Sequence, residues 1–370
     1  MIDISIFNGE IPILSDKKLP ESHAAEAKNC FLDSGNLQAI KGVTSVQDVA
    51  DDIETIFKLA TGFLVWNQQV NVVKSLVYDS GGRVFYSGAG YPKETNEALG
   101  LVSSPFPTNS RRLGIPAPTN ALVYTPIGTA GQSVSYSGSW VYTIVGQWED
   151  GSEVESAPSE PTSVIDVMDG ITPRLTGFTD ATAAGVFTTH FRLYRLVSGN
   201  AGAEYQLVDT IPKATTQYDD DVAEADLGEV IPTTNWDSPD DDLAGLIAAS
   251  HGMAFGFKGN RIHPSETFIS YAYPSRYSLV TESDVIGLGY TGSMVVAMTE
   301  TVPYLLIGQS PETLEMRRLS YQQPCISARS IVNIPGGVIY ASPDGLFKVD
   351  ESGLGALITK GLFSKAQWEA

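Results

Sequence analysis

Gly287-x-Gly289-x-x-Gly292, inside VIGLGYTGSMVV at 285–296, has the spacing of a dinucleotide-binding fingerprint. In such a site the glycines let backbone approach a pyrophosphate, and the third opens a helix whose N-terminal amides receive the negative charge. Here Gly292 is followed by SMVVAM, a β-branched run of strand character, and DVIGLGY before it is short and strand-like. No helix is expected to supply the donors. The triplet therefore reads as scaffold, glycines at a strand-to-strand corner.

The other chemistry-bearing residues are dispersed. His23, His190, His251 and His263 show no HxxxH or HExxH spacing, so satisfied or solvated side chains are expected rather than metal ligands. Cys30 and Cys325 lie far apart with no CxxC, too few for a disulfide framework or a structural zinc site. No GxSxG elbow appears. Ser342-Pro343-Asp344-Gly345 approaches the Ser-x-Asp-x-Gly box of some propeller glycosidases but is one residue short, and a type I turn with proline at its second position explains it. Asp219-Asp220-Asp221 and Asp240-Asp241-Asp242 lack the DxDxDG spacing of a calcium loop and read as a solvated inter-domain edge, with calcium the alternative. No catalytic, cofactor-binding or metal-binding residue is assigned, and no cofactor is expected.

The elements around these residues are strands. Among 370 residues, 42% are hydrophobic and 18% charged, and 35 glycines and 21 prolines punctuate the chain, as in a globular protein of short strands and tight turns. Residues 1–110 contain an Ala-rich PESHAAEAKNC, expected to form one or two helical turns. TIFKLATGFLVWN (55–67), VNVVKSLVYD (70–79) and RVFYSG (83–88) follow and read as antiparallel meander. Proline-rich SSPFPTNSRRLGIPAPTN (103–120) reads as extended chain, its 111–120 portion as linker. Net charge is −20, which disfavours a basic nucleic-acid groove. MIDISIFNGEIP lacks a basic n-region before an apolar stretch, and no run of 18 apolar residues occurs. Neither a Sec signal nor a membrane anchor is expected, and the chain reads as folded in a cytoplasm.

In the middle region, 121–218, Trp140, Tyr142 and Ile144 alternate with Val141, Thr143 and Val145, and HFRLYRLV (190–197) and YQLVDTI (205–211) flank a Ser198–Gly202 turn. Turn signals roughly every ten residues point to a β-sandwich. WVYTIVGQWEDGSEVESAPSEP, followed by FRLYRLVSGN and YQLVDTI, resembles a fibronectin type III-like module. That resemblance implies a sandwich and no particular function. An acidic linker is expected over 219–234.

Region 235–370 repeats. GMAFGFKGNRIHPSE, GSMVVAMTETVPYLLIG and GVIYASPDGLFKVDE each run glycine, strand, polar turn, strand, starting at 252, 292 and 337. Spacings of 40 and 45 residues match one four-stranded propeller blade. The expected fold is all-β: a propeller of about three blades here and two in 1–110, open or completed by another chain, with an inserted fibronectin type III/Ig-like sandwich.

Two stretches are together similar to bacteriophage proteins. FNGEIPIL…LPESHAAEAKNCFLDSGNLQAIKG resembles the opening of the nozzle proteins of short-tailed phages, through Gly9, Pro20, Ala24, Ala27, Asn29, Gly35 and Leu37. VPYLLIGQSPETLE, PCISARSIV and VIYASPDGL resemble a segment of phage tail-hub and nozzle-like virion proteins, which usually continue beyond GLFSKAQWEA. The resemblance implies a virion structural protein without catalytic residues. Its copies, a homo-hexamer, would form a ring below the portal and adaptor proteins, and DNA would pass through the lumen without specific binding. Six copies would carry about −120 formal charges, and acid-rich lumen loops would repel phosphate. The competing readings are a glycan-binding or glycan-cleaving propeller, which needs tryptophans and tyrosines clustered at one mouth, and a cytosolic scaffold that takes peptides at a sheet edge.

Overall fold

β-Branched and aromatic runs between turn residues fold as antiparallel strands throughout, and the chain is nearly all β. The computed structural model describes residues 7–369 apart from 13, 16, 32–37, 47, 79, 200 and 201. Gly35, Leu37, Asn200 and Ala201 thus lie outside the described residues. β1 (Cys30–Phe31) and β2 (Gln38–Ala39) make a short ladder. The Ala-rich stretch is not helical. Its chain turns after Pro20, and Ala24 bridges to Glu10 instead. So short a segment gains too few hydrogen bonds to offset helix nucleation without packing, and residues 21–29 are only partly buried or exposed.

A hairpin of β3 (Thr55–Lys58) and β4 (Phe63–Trp66) forms the first sheet. β5 (Asn71–Lys74), β6 (Val84–Ser87), β7 (Lys93–Thr95) and β8 (Arg111–Arg112) form the second, in sequence order. A one-turn helix, α1 (Glu97–Gly100), stands between β7 and β8, capped by the Asn96 side chain. The expected linker at 111–120 is corrected here. Arg111 and Arg112 complete the second sheet, and Leu113 and Ile115 are buried beyond it.

The module inserted between the second and third sheets has nine strands. They are β9 (Val123–Gly128), β10 (Val134–Gly138), β11 (Trp140–Gln147), β12 (Glu153–Glu155), β13 (Ile165–Met168), β14 (Ile171–Thr176), β15 (His190–Gly199), β16 (Gly202–Pro212) and β17 (Gln217–Asp219). One sheet runs β12-β11-β15-β16 and another β17-β14-β9, with β10 and β13 paired beside them. Trp140, Tyr142, Ile144, Phe191 and Leu193 from the first meet Leu175 and Tyr124 from the second in one core, which is a sandwich. The opposite face of β11 is covered as well. Val141 and Tyr194 pack with Ile231, and the Ile231 N–H donates to the Tyr205 carbonyl. Residues 228–231 of the expected acidic linker are therefore docked on the module.

Three four-stranded meanders follow. The third sheet is β18 (Ala244–Ala248), β19 (Ala254–Lys258), β20 (Arg261–Pro264) and β21 (Leu279–Val280). The fourth is β22 (Val285–Thr291), β23 (Met294–Thr299), β24 (Tyr304–Ile307) and β25 (Glu315–Arg318). The fifth is β26 (Val332–Ile334), β27 (Gly337–Ser342), β28 (Gly345–Val349) and β29 (Gly355–Leu357), with α2 (Lys365–Trp368) against its β27–β28 turn through Trp368 Nε1 and the Ser342 carbonyl, 2.9 Å. Each repeat found in the sequence supplies the second and third strands of one meander. No helix among the described residues is long and apolar enough to cross a membrane.

Candidate functional site: the central cavity and the junction of the fifth and first sheets

The first strands of all five sheets, β3, β5, β18, β22 and β26, line one cavity of about 860 Å³. Its wall is made mainly of Val, Ile, Phe, Ala, Ser, Thr and Asn side chains, and Lys74 is its one charged residue among those described. No acid–base pair faces the cavity, so it offers volume and apolar surface rather than proton transfer.

The glycine triplet belongs to this wall. Gly287 and Gly289 lie inside β22, not at a corner as expected. A Cβ on Gly289 would stand 2.6 Å from Val338 Cγ1 and 2.9 Å from Asn333 Oδ1, and one on Gly287 would stand 2.3 Å from Ile331 Cδ1. They let β22 approach the fifth sheet, where the Tyr290 N–H donates to Asn333 Oδ1 at 2.9 Å. Gly292, at φ +55°, occupies the two-residue turn into β23, a position that favours glycine. A strand, and no helix, follows it, so the arrangement lacks the amide cluster a pyrophosphate needs.

Around the cavity the junctions between successive sheets are unequal. Leu64, Trp66, Val84 and Tyr86 fill the one between first and second sheets. Phe85, Leu246, Ala254 and Tyr273 fill the next, and Phe255, Ile262, Val295 and Tyr304 the third. Val296, Met298, Val338 and Tyr340 fill the fourth. The junction from the fifth sheet back to the first has no apolar cluster among the described residues. It is bridged by Arg329, whose guanidinium meets the Glu54 carboxylate at 3.1 Å and the Glu54 carbonyl at 3.4 Å. Both side chains are solvent-exposed, and such a pair contributes about 0–1 kcal/mol.

Cross-strand register shows what borders this junction. On the first sheet Ile56 opposes Val65 and Lys58 opposes Phe63, on the face turned away from the filled core. On the fifth, Val332, Ile339, Ala341, Leu346 and Lys348 share the face opposite Val338 and Tyr340. Ile56 is 54% exposed and Val332 52%. Phe63, Val65, Ile339 and Leu346 are half-buried and Ala341 is buried, so Ile56 and Val332 are the apolar positions these two faces leave exposed.

The module is held to the second sheet by a buried charged group. Arg111 lies between the Trp148 and Phe187 rings, 3.9 and 3.7 Å from their centroids, and the Arg112 N–H donates to the Gly185 carbonyl at 2.7 Å. Arg112 also pairs with Asp241, and Arg83 stands over Trp148 as well. Glu94 is enclosed among them, and its Oε2 and Arg111 Nη1 find no hydrogen-bond partner. Burial pushes the Glu94 carboxyl up to about 7, against the opposing pull of Arg83 and Arg111. Because this lies above its ordinary 4.5, protonated Glu94 favours the folded state. Its contribution is complete below pH 4.5 and is lost as the pH rises through 7. Glu94→Gln, which stays neutral, should exceed the parent in stability by on the order of 3 kcal/mol above pH 8 and by little at pH 4, as read by denaturant titration at both. A gap independent of pH would assign the residue a purely steric role.

The remaining residues singled out by the sequence serve the scaffold. Asp220 is buried and accepts hydrogen bonds from Trp140 Nε1 at 2.7 Å and Arg195 Nη1 at 2.9 Å, so the 219–221 run is not simply a solvated edge. Asp219 pairs with Arg174 on the surface. Asp240 and Asp242 share Lys258, and no group of three metal-ligating side chains gathers among the described residues. Asp344, in the turn of SPDG, is held by Gln323 and Lys365. Burial lowers the pKa of His190, which faces Glu153, and of His263, beside Ser278. His23 touches Ser22, and His251 sits in a left-handed backbone position. Cys30 and Cys325 are free thiols. Trp140 and Trp148 share the sandwich core, Trp66, Trp236 and Trp368 lie apart from it and from one another, and none of the five lines the cavity. The sequence raised an open ring but could not say where it opens, and it missed the Glu94 group, because both depend on contacts between segments remote in the chain.

No protein-family model matches the chain, and no curated protein is significantly similar to it.

Proposed function

We propose that the chain is a structural component of a bacteriophage tail. Copies would form a nozzle or hub ring below the portal and adaptor, and the ring would be the conduit for genome ejection. In this reading the five sheets are propeller blades, the role is mechanical, and the chain carries no catalytic residues. It is made in the host cytoplasm and ends in the virion. The observation that carries the reading is the junction between the fifth and first sheets, which no apolar cluster fills among the described residues and where Ile56 and Val332 stand exposed. Exposed apolar surface of this kind marks protein–protein contact.

Charge supports it. Residues 121–234 hold 16 acidic and 4 basic residues, a net −12 of the chain's −20, and the module would hang outside the ring. Residues 1–120 and 235–370, which would build the ring, carry a net −8, of the same sign. A conduit wall of that sign repels a phosphate backbone and lets DNA slide without sticking. No tryptophan lines the cavity; its aromatic side chains are Phe57, Phe257 and Tyr290, which come from three different sheets. Sedimentation of the purified chain over a wide concentration range tests the proposal. Closed oligomers are expected, whereas a monomer throughout that binds or cleaves glycans would overturn it.

A further inference from the structure

The stretch that leads into β3 has its own unmatched surface. Residues 40–46 and 48–50 form no helix or strand, and Ile40, Val43, Val46 and Val49 recur every third residue. Each is exposed, Val43 at 98% and Val46 at 80%, so four apolar side chains at regular spacing stand in water with nothing among the described residues covering them. The arm ends at Glu54, the residue that Arg329 holds at the open junction.

We infer that the arm of a second copy, residues 40–52, fills the junction between the fifth and first sheets. This rests on the ring reading and names its contact. The two surfaces complement each other. The junction offers Ile56, Phe63 and Val65 on one side and Val332, Ile339 and Leu346 on the other, and the arm offers the exposed Ile40, Val43, Val46 and Val49. Charge agrees as well. Lys58 and Lys348 stand on the junction faces, and the arm carries Asp48, Asp51 and Asp52. Arm and junction are different surfaces of one chain, so the contact is heterologous, and repeating it closes a ring or propagates a filament. The short-range counterpart, a chain docking its own arm, is the competing arrangement.

Val43→Asp with Val46→Asp in the full chain tests this. Both positions are exposed, so the single-chain melting temperature should hold, and association should weaken roughly a hundredfold by sedimentation. In a Cys30→Ser background, a Val43→Cys chain mixed with a Val332→Cys chain should form a disulfide between chains on oxidation. Undiminished assembly of the aspartate variant would sink the arm contact and leave the ring reading standing. A disulfide formed within single chains of a Val43→Cys, Val332→Cys double variant at high dilution would sink it too. A parent chain that never assembles would remove the ring reading itself.

Discussion

Asp220→Ala should cost the inserted module about 3–5 kcal/mol. The Arg195 and Asp220 side chains are 3% and 0% exposed. Asp220 receives Arg195 Nη1 and the Trp140 indole N–H, and Arg195 Nη2 donates onward to the Val222 carbonyl at 2.9 Å. Removing the carboxylate leaves a guanidinium buried without its counter-charge and an indole N–H without an acceptor. Both keep their desolvation penalty and lose its compensation. Asp219→Ala, one residue away, breaks only a surface pair with Arg174 and should cost less than about 1 kcal/mol. Urea titration followed by tryptophan fluorescence compares the two. Equal losses would mean that Asp220 is hydrated in solution and the network is not intact.

Phe255→Ala should destabilise the sheets around the cavity by about 3–5 kcal/mol, and Ile56→Ala by less than about 0.5 kcal/mol in the isolated chain. Phe255 is 1% exposed in the junction of the third and fourth sheets, among Ile262, Val295 and Tyr304. Truncating it removes buried apolar area and leaves a cavity that packed neighbours cannot close. Ile56 stands at the open junction with half its surface already in water, so little burial is lost. The contrast should narrow in assembled protein, where Ile56 gains a covering. If Ile56→Ala proved as damaging as Phe255→Ala in dilute monomer, the fifth and first sheets would already be packed on each other.

What the sequence made legible was local. Hairpins such as β19–β20 and β27–β28 join strands of alternating pattern by short turns, so period and turn chemistry marked them. The inward alternation of Trp140, Tyr142 and Ile144 marked the sandwich core. Outer strands escaped notice because they are brief. β8 and β21 have two residues each and exist through their partners rather than their composition. The Asp219–Asp221 run misled because like charges in sequence usually share water, whereas here adjacent residues point to opposite sides and one meets Arg195. The Ala-rich stretch after Pro20 misled because propensity is weak where nothing packs against a helix. The glycines of the spacing at 287–292 were expected at a strand-to-strand corner, whereas Gly287 and Gly289 lie inside β22 and serve close sheet approach.

Electron cryo-microscopy of the full chain at high concentration addresses the central claim most directly. The account predicts a closed ring of copies, each arm lying in its neighbour's junction between fifth and first sheets, around a lumen richer in carboxylates than in lysine and arginine. Single particles with the arm laid on their own junction, or a ring whose lumen is basic, would contradict it.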